Sequence, residues 1–353
     1  MIKSLSPYYV TTPWVNPLGG AVVGESYTIS IFVWDGLKAA PSLTATYTKT
    51  IPNPTSSVAS DKINISRLIS DFIEFAPRGT GLGSGVINSE NNWWVKTHVT
   101  YENDPTVQQA TTSLYGLGYS YGNQGENVTT ITDNILLKAQ DYKANRTSVF
   151  VLPVLQEEAG GEAYSIISYP ANEINISSTL GASTDSAQLV RYLWVQLDET
   201  TTDTYVEVIF DGTTTTLLIQ DECKYTPIDI FFQNKEGAEQ VVTFFKEKTD
   251  ALSVTNEQYE SDRGQPSAGN HQFVRYNVQG MSSFNVNSGF LDEDMNDIFT
   301  EMFLSERIWS YDGTDFTPLN IKSKNFEYKT RQKERLINYA VRFEYSYNQI
   351  NNI

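Results

Sequence analysis

The chain has 353 residues, of which 40% are apolar and 12% aromatic, so it can form two or three folded domains and does not have a disordered composition. Its formal net charge of −17 disfavours free nucleic acid as a partner, because an acidic surface repels the phosphate backbone, and we expect no direct nucleic acid binding. The single cysteine, Cys223, excludes an internal disulfide and a zinc site built from several cysteines.

The first predicted elements are a strand and a short helix. Residues 27–34 are rich in aromatic and β-branched side chains and predict a buried strand. Apolar side chains then recur between Ile65 and Ile73 at the spacing of one helix face, with Asn64 as the candidate N-cap. Because this apolar stripe is one-sided, we expect the helix to pack against a sheet or a partner.

Two hairpins and a further turn are predicted farther along the chain. Asp-Gly pairs supply the positive φ angles that a tight hairpin turn needs. The predicted turns are Asp211-Gly212 between residues 205–210 and 213–219, Asn234–Gly237 between residues 228–232 and 241–245, and Asp312-Gly313. Residues 200–204 and 253–270 carry no clear strand or helix pattern and are predicted loops.

The last predicted elements are a helix near residues 291–307 and a C-terminal strand. The helix carries an apolar stripe that includes Leu291, Met295 and Phe299, and acidic residues 292–294 load its first turn, which suits the helix dipole. Residues 339–347 alternate apolar and polar side chains and predict a half-buried antiparallel strand. Residues 325–330 are its predicted partner.

Together these elements predict a mainly β fold, with two or three β-sandwich-like domains and a few short amphipathic helices. The predicted domains are 1–90 with one helix, 91–222, and 223–353 with the helix near 291–307. No run of about 18 apolar residues occurs, and no apolar region follows Met1. We therefore expect no membrane span and no signal peptide, which suits a cytoplasmic origin.

Catalytic patterns are weak throughout the sequence. The two histidines, His98 and His271, lie far apart, and no Gly-x-Ser-x-Gly motif is present. Asp292, Asp294 and Asn296 alternate as in a calcium loop, but the turn glycine and the bidentate glutamate are missing. A glycosidase pair cannot be singled out among 42 acidic residues. We expect no enzymatic activity, no cofactor and no bound metal.

Two aromatic stretches are candidates for a contact loop. Their candidate residues are Trp93, Trp94, Tyr115, Tyr119 and Tyr121. Aromatic rings can stack on a sugar or on a protein partner, and the glycines among residues 116–122 favour a loop. The alternative is that these rings pack inside their own domain.

Basic charge is concentrated between residues 322 and 342. The candidate subunit-interface residues are Lys322, Lys324, Lys329, Arg331, Lys333 and Arg335. In an acidic protein such a segment can meet the acidic surface of a neighbouring subunit. The alternative is a solvated loop.

Three groups of residues carry a family resemblance. They are Leu5–Val10 with Tyr27–Gly36 and Ile63–Phe72; Cys223–Pro227 with Phe231–Ala238 and Phe244–Lys246; and Leu336–Tyr339 with Phe343–Tyr347 and Ile350–Asn352. On these residues the chain resembles uncharacterised structural proteins of tailed phages that infect Bacteroidetes. The resemblance covers both ends and the middle of the chain and is weakest over residues 95–200.

The resemblance implies a virion structural protein of the tail or baseplate region, made in the cytoplasm of the bacterial host. Its expected partners are copies of itself and other virion proteins, with assembly into a ring or a tube. The alternative is a receptor- or carbohydrate-binding module at the tail tip, which would bind a host surface glycan. The resemblance carries no catalytic motif and does not fix which component of the tail the chain forms.

Overall fold

Strands dominate the chain in the computed structural model. The structure describes residues 2–11, 26–35, 38, 44–52, 62–77, 83–88, 93–101, 104–108, 112–116, 133–157, 159–182, 190–222, 224–261, 269, 271–325, 327 and 337–350. These residues form five β-sheets and two short helices, which confirms the predicted mainly β fold.

The elements follow one another in this order. The first part of the chain forms β1 (Ile2–Lys3), β2 (Tyr9–Thr11), β3 (Ser26–Asp35), β4 (Tyr47–Pro52), β5 (Lys62–Asn64), α1 (Ser66–Ser70), β6 (Gly85–Asn88), β7 (Trp94–Tyr101), β8 (Asp104–Gln108) and β9 (Thr112–Tyr115). The middle forms β10 (Asp141–Ala144), β11 (Val149–Leu155), β12 (Ala163–Tyr169), β13 (Asn175–Thr179), β14 (Val190–Gln196), β15 (Tyr205–Phe210) and β16 (Thr213–Ile219). The last part forms β17 (Ile228–Gln233), β18 (Glu239–Phe244), β19 (Thr249–Glu260), β20 (Phe273–Asn287), α2 (Met295–Leu304), β21 (Ile308–Tyr311), β22 (Phe316–Ile321), β23 (Ala340–Tyr345) and β24 (Gln349–Ile350).

The smaller of two apolar cores lies between α1, the short β2–β5 pair and the first sheet, which has the order β1-β9-β7-β3-β4 with β8 on β7. In β3 the side chains alternate, so Ile29, Ile31 and Val33 are buried while Ser30 is only half-buried. The strand predicted over residues 27–34 is confirmed, and Trp34 is buried on its other face.

The start of α1 is fixed by a side chain that the sequence singled out. Asn64 lies one residue before the N-cap position, and its Oδ1 accepts hydrogen bonds from the backbone N–H groups of Ser66 (3.1 Å) and Tyr8 (3.2 Å). These contacts satisfy donors at the helix start and tie it to β2. The predicted helix is confirmed, but it ends at Ser70 instead of Ile73.

The larger core is shared by three sheets and α2. The sheets have the orders β10-β16-β15-β12-β13, β11-β14-β6 and β18-β17-β21-β22-β23-β20-β19, with β24 on β20. Helix α2 buries Met295, Ile298, Phe299 and Met302 against this core and begins after the acidic residues, at Met295. Each sheet has a face too apolar to leave in water, so the three sheets pack together.

Both predicted hairpins and the predicted turn at Asp312-Gly313 are confirmed, and that turn also joins two strands of a hairpin. β15 pairs with β16, β17 with β18, and β21 with β22, all antiparallel. Asp211 and Gly212 have φ values of 46° and 78°, as a type I′ turn requires.

Sheet pairings cross one of the predicted domain boundaries. β3 pairs with β7 from Ile29↔Tyr101 to Asp35↔Val95, so the first sheet takes strands from both sides of residue 90. The larger core likewise includes Trp194 and Phe231, on the two sides of residue 222. Changes in composition along a sequence indicate where linkers lie. Strand pairing depends on contacts between residues far apart in the sequence, so composition alone does not predict it.

Two sequence predictions near the C-terminus meet different outcomes. β23 confirms the predicted half-buried strand and pairs with β20 and β22. Its predicted partner, residues 325–330, lies mostly outside the described residues. Residues 253–260, predicted as part of a loop, are strand: they lie in the twelve-residue β19. Neither of the two described helices is long and apolar enough to cross a membrane.

Candidate functional site

A two-stranded ribbon at the end of the largest sheet stands clear of both cores. β19 pairs antiparallel with β20 from Thr249↔Asn285 to Glu260↔Phe273. All twelve residues of β19 are exposed, so neither face of this strand is covered. At about 3.3 Å per residue the strand is about 40 Å long. We call residues 249–260 and 273–282 the arm, and the remaining described residues the body.

A bulge bends one strand of the arm and leaves the other regular. Thr255 lies opposite Gln279, but Glu257 lies opposite Tyr276, so a single β19 residue faces two residues of β20. One of these two, Asn277, has a φ of 48°, which asparagine tolerates better than most residues. The extra residue is therefore in β20, and β19 keeps strict alternation along its length.

The arm carries a large share of the exposed apolar surface. Of the nine large hydrophobic side chains that are exposed in the described chain, five belong to the arm. Leu252 (57% exposed), Val254 (43%) and Phe273 (60%) share one face by register and alternation. Tyr259 (50%) and Tyr276 (45%) meet edge to face on the other, with ring centroids 5.7 Å apart. Such a concentration marks a contact surface rather than scattered surface residues.

The charge of the arm is predominantly acidic. β19 contributes Asp250, Glu257 and Glu260, whereas Arg275 is the basic residue of the arm's described strands. Hydrogen bonds from the Tyr276 hydroxyl and the Asn277 amide lower the pKa of Glu257, and the bond to Glu257 raises the pKa of Tyr276. The carboxylate is thus held ionised beside the exposed rings.

The root of the arm is anchored in the body. β23 pairs with residues 283–287 of β20, and β24 pairs with Gln279 and Gly280. Phe284 is 1% exposed and lies 5.6 Å from the ring of Phe343. The ammonium of Lys248 lies 3.1 Å from an Asp250 carboxylate oxygen and 4.9 Å from the Phe284 ring centroid. These contacts hold the arm in a defined direction.

A shallow cavity of about 530 Å³ lies beside this root. It is lined by Lys248, Asp250, Ala251, Leu252, Ser282, Ser283, Tyr345 and Tyr347. Tyr347 is half exposed, and its ring centroid is 5.6 Å from that of Tyr345. The cavity extends the contact surface of the arm onto the body.

The predicted basic interface is only partly within the described chain. The ammonium of Lys322 forms a salt bridge of 2.6 Å with Glu344, so its charge is already paired with a carboxylate of the same chain. Lys324 is exposed. Lys329, Arg331, Lys333 and Arg335 lie outside the described residues.

The two tryptophans of the predicted aromatic contact loop are buried and cannot serve as contact residues. Trp93 and Trp94 are 1% and 0% exposed. Trp93 stacks on Phe75 at 4.6 Å and meets Tyr192 edge to face at 5.6 Å. Neither indole can offer a face to a ligand, because both are core residues where β7 begins. The backbone of Tyr115 lies in β9, but its side chain is not among the described parts of the structure. Tyr119 and Tyr121 lie outside the described residues.

A second cavity, of about 590 Å³, lies between α2 and the turn of the β17–β18 hairpin. Its lining includes Lys138, Lys235, Glu301, Thr300 and Ser305. The hydroxyls of Thr300 and Ser305 donate to backbone carbonyls, and no histidine or cysteine is among the described lining residues. Neither hydroxyl is therefore arranged as an activated nucleophile.

The aromatic neighbours of His98 indicate a structural role for this histidine. Its imidazole stacks on Phe32 at 4.5 Å and meets Trp34 at 5.5 Å, and burial lowers its pKa. Among the described residues, no group of three His, Cys, Asp or Glu side chains is placed to hold a metal ion.

The amino-acid sequence matches no protein-family model and no curated protein.

Proposed function

We propose that this chain is a structural subunit of a larger particle and that the arm is the surface through which it joins its neighbours. The observation that carries the proposal is the twelve-residue strand β19, exposed along its whole length. A two-stranded ribbon in water is marginally stable at best, and an exposed strand edge promotes association. A chain that keeps such a ribbon needs a partner to cover it.

The apolar residues of the arm support the same proposal. Leu252, Tyr259 and Phe273 are each at least half exposed, on both faces of the ribbon. Aromatic and aliphatic side chains of this kind anchor protein interfaces when a partner excludes water from them. The acidic charge of the arm and of the whole chain favours protein partners over nucleic acid.

The particle that best fits the chain is a bacteriophage virion, in its tail or baseplate region. This part of the proposal rests on the family resemblance of the sequence. The partners would be copies of this chain and other virion proteins, in a ring or a tube built in the host cytoplasm. The subunit would have no catalytic role.

A second candidate function is receptor or glycan binding at the tail tip. The exposed rings of Tyr259, Phe273 and Tyr276 favour it, because aromatic faces stack on sugars as well as on proteins. The two functions differ in what the arm contacts. A structural subunit buries the arm against other subunits, whereas an adhesin keeps it free for the host surface.

Replacing the distal aromatic residues of the arm tests the assembly proposal. We expect a Tyr259→Ser, Phe273→Ser, Tyr276→Ser variant to lose self-association in light scattering coupled to gel filtration. Its body should unfold within about 0.5 kcal/mol of the wild type, because the variant removes exposed side chains only.

The matched control is Leu304→Ser, which removes one 78% exposed hydrophobic side chain outside the arm. It should associate like the wild type. Unchanged association of the arm variant would contradict the proposal. Loss of binding to host cells by the arm variant, with association intact, would support the adhesin instead.

Purified virions of the phage that encodes the chain test the assignment to a particle. We expect mass spectrometry to detect the chain at several copies per particle, and a particle reconstruction to bury the arm in a subunit contact. A chain absent from purified particles would contradict the assignment to a virion.

A further inference from the structure

The outer edge of β19 offers unpaired backbone groups. Within the part of the chain that the structure describes, β19 pairs with β20 alone and ends the largest sheet. In a strand, the N–H and C=O groups of alternate residues point to opposite edges. One set is used by β20, and the other faces outward along the whole strand. A strand from another molecule can pair with such an edge.

β19 lacks most features that natural proteins use to protect an edge strand. It contains no proline, lysine or arginine. Its residues keep regular alternation, because the bulge lies in β20. Only its three acidic residues oppose the approach of another strand, and they also restrict which strand can approach.

We propose that β19 pairs with β19 of a second copy of this chain, antiparallel about a two-fold axis that passes at Val254. This inference rests on the proposed function and names the partner of the arm. It makes one continuous sheet of four strands, in the order β20-β19 of one copy followed by β19-β20 of the other.

The two-fold axis limits the possible registers. Residues directly opposite each other in an antiparallel pair either both point their backbone groups at the partner strand or both point them away. Opposite residues of two identical, regular strands must therefore have numbers of the same parity. For a strand of residues 249–260, the two registers with the greatest overlap are centred on Val254 and on Thr255.

Charge decides between these two registers. A register centred on Thr255 places Asp250 opposite Glu260 of the other copy, and does so twice. Like charges directly opposite each other destabilise a sheet. A register centred on Val254 instead places Asp250 opposite Gln258, and Glu260 opposite Lys248.

The Val254 register also suits the apolar side chains. The two Val254 side chains lie opposite each other at the axis, with Leu252 of each copy on the same face. A two-stranded ribbon thus becomes a four-stranded sheet with an apolar centre, and sheets of three or more strands can be stable in water. The second copy supplies the additional strands that the isolated arm lacks.

Cysteine cross-linking tests the register. In a Cys223→Ser background, we expect Val254→Cys to form disulfide-linked dimers under mild copper-phenanthroline oxidation. The two Cα atoms would lie about 4.5–5.5 Å apart, within the range that a disulfide spans. The matched control is Gln258→Cys, on the same exposed face. Its two copies would be eight residues apart along the strand, about 27 Å, and should not cross-link.

Lysine substitution provides a second measurement. Val254→Lys places two ammonium groups opposite each other at the axis and should weaken dimer formation about tenfold or more in sedimentation equilibrium. Gln258→Lys places the new charge opposite Asp250 of the partner and should dimerise at least as well as the wild type. Both positions are exposed, so thermal unfolding of the body should not change.

Equal cross-linking at both cysteine positions, or equal dimerisation of both lysine variants, would overturn the inference. A further outcome is that the two cysteine variants behave alike, and the two lysine variants alike, while the distal arm substitutions still abolish association. In that case the arm joins subunits through other contacts and the proposed function stands. If neither set of variants affects association, the proposed function fails with it.

Discussion

Replacing Phe231 by alanine is expected to lower the free energy of unfolding by about 3–5 kcal/mol, the usual range for a fully buried phenylalanine. Phe231 is 0% exposed in β17. Its ring meets Phe316 at 4.9 Å and Tyr311 at 5.7 Å, both edge to face, and Trp194 at 6.4 Å. Urea unfolding followed by fluorescence would measure the loss.

The position of Phe231 between sheets explains why the effect should be large. Trp194 belongs to the β11-β14-β6 sheet, whereas Tyr311 and Phe316 belong to the sheet that carries the arm. The alanine variant opens a cavity where these sheets meet, and large aromatic neighbours cannot easily collapse into it.

Phe290→Ala is the matched control for this prediction. Phe290 is 59% exposed, so its loss should change the free energy of unfolding by no more than about 0.5 kcal/mol. A loss below about 1 kcal/mol for Phe231→Ala would mean that the two sheets do not share a core at this position.

Features determined by short stretches of sequence could be predicted. The Asp211-Gly212 hairpin follows from the positive φ angles that these two residues tolerate. The C-terminal strand follows from the alternation of Val341 and Phe343 with polar residues, because one face of that strand packs on the core. In both cases the local pattern and the tertiary contacts favour the same structure.

The arm could not be predicted in the same way, because β19 packs against no core. Apolar alternation arises when one face of a strand is buried, and every residue of β19 is exposed. The remaining signal was the β-branched and aromatic content of the strand, with Val254, Thr255 and Tyr259 among polar residues. Residues 253–260 of the arm therefore lay inside a predicted loop.

The tryptophan pair shows a limit of another kind. Trp93 and Trp94 are adjacent, so alternation alone would suggest that one of them faces solvent. Both are buried, because β7 begins where the first sheet meets the larger core and each face of the chain is covered there. Such double coverage depends on contacts distant in sequence.

The buried carboxyl group of Asp229 predicts a pH dependence of stability. It lies in β17, and its Oδ1 accepts hydrogen bonds from the hydroxyls of Ser148 (2.9 Å) and Thr243 (2.6 Å). Burial raises the pKa of Asp229 to about 6, and the hydrogen bonds offset only part of that effect. No described lysine or arginine pairs with it.

The sign of this pH dependence of stability follows from the pKa values of Asp229 in the folded and the unfolded chain. The folded-state pKa of about 6 lies above the ordinary value of 3.8. Between these values the folded chain holds a proton that the unfolded chain has released. The contribution of Asp229 to stability is therefore fully present below about pH 4 and is lost as the pH rises through 6. Over that range the loss amounts to about 3 kcal/mol.

Asp229→Asn should remove this dependence, because the amide stays neutral and can still bond to both hydroxyls. We expect the variant to be more stable than the wild type above pH 7, by up to about 3 kcal/mol, with the difference vanishing near pH 4. Urea unfolding at a series of pH values would measure both curves.

Asp203→Asn is the matched control with the opposite sign. Burial alone would raise the pKa of Asp203, but hydrogen bonds from the Ser168 hydroxyl and the backbone N–H groups of Ala171 and Glu173 outweigh burial and lower it. Its contribution is present above the ordinary carboxyl pKa and is lost as the pH falls, so Asp203→Asn should destabilise the protein at neutral pH. Parallel pH curves for wild type and Asp229→Asn would mean that Asp229 is ionised in the fold at little cost. Its hydrogen bonds from Ser148, Thr243 and the backbone N–H of Val149 would then compensate fully for burial.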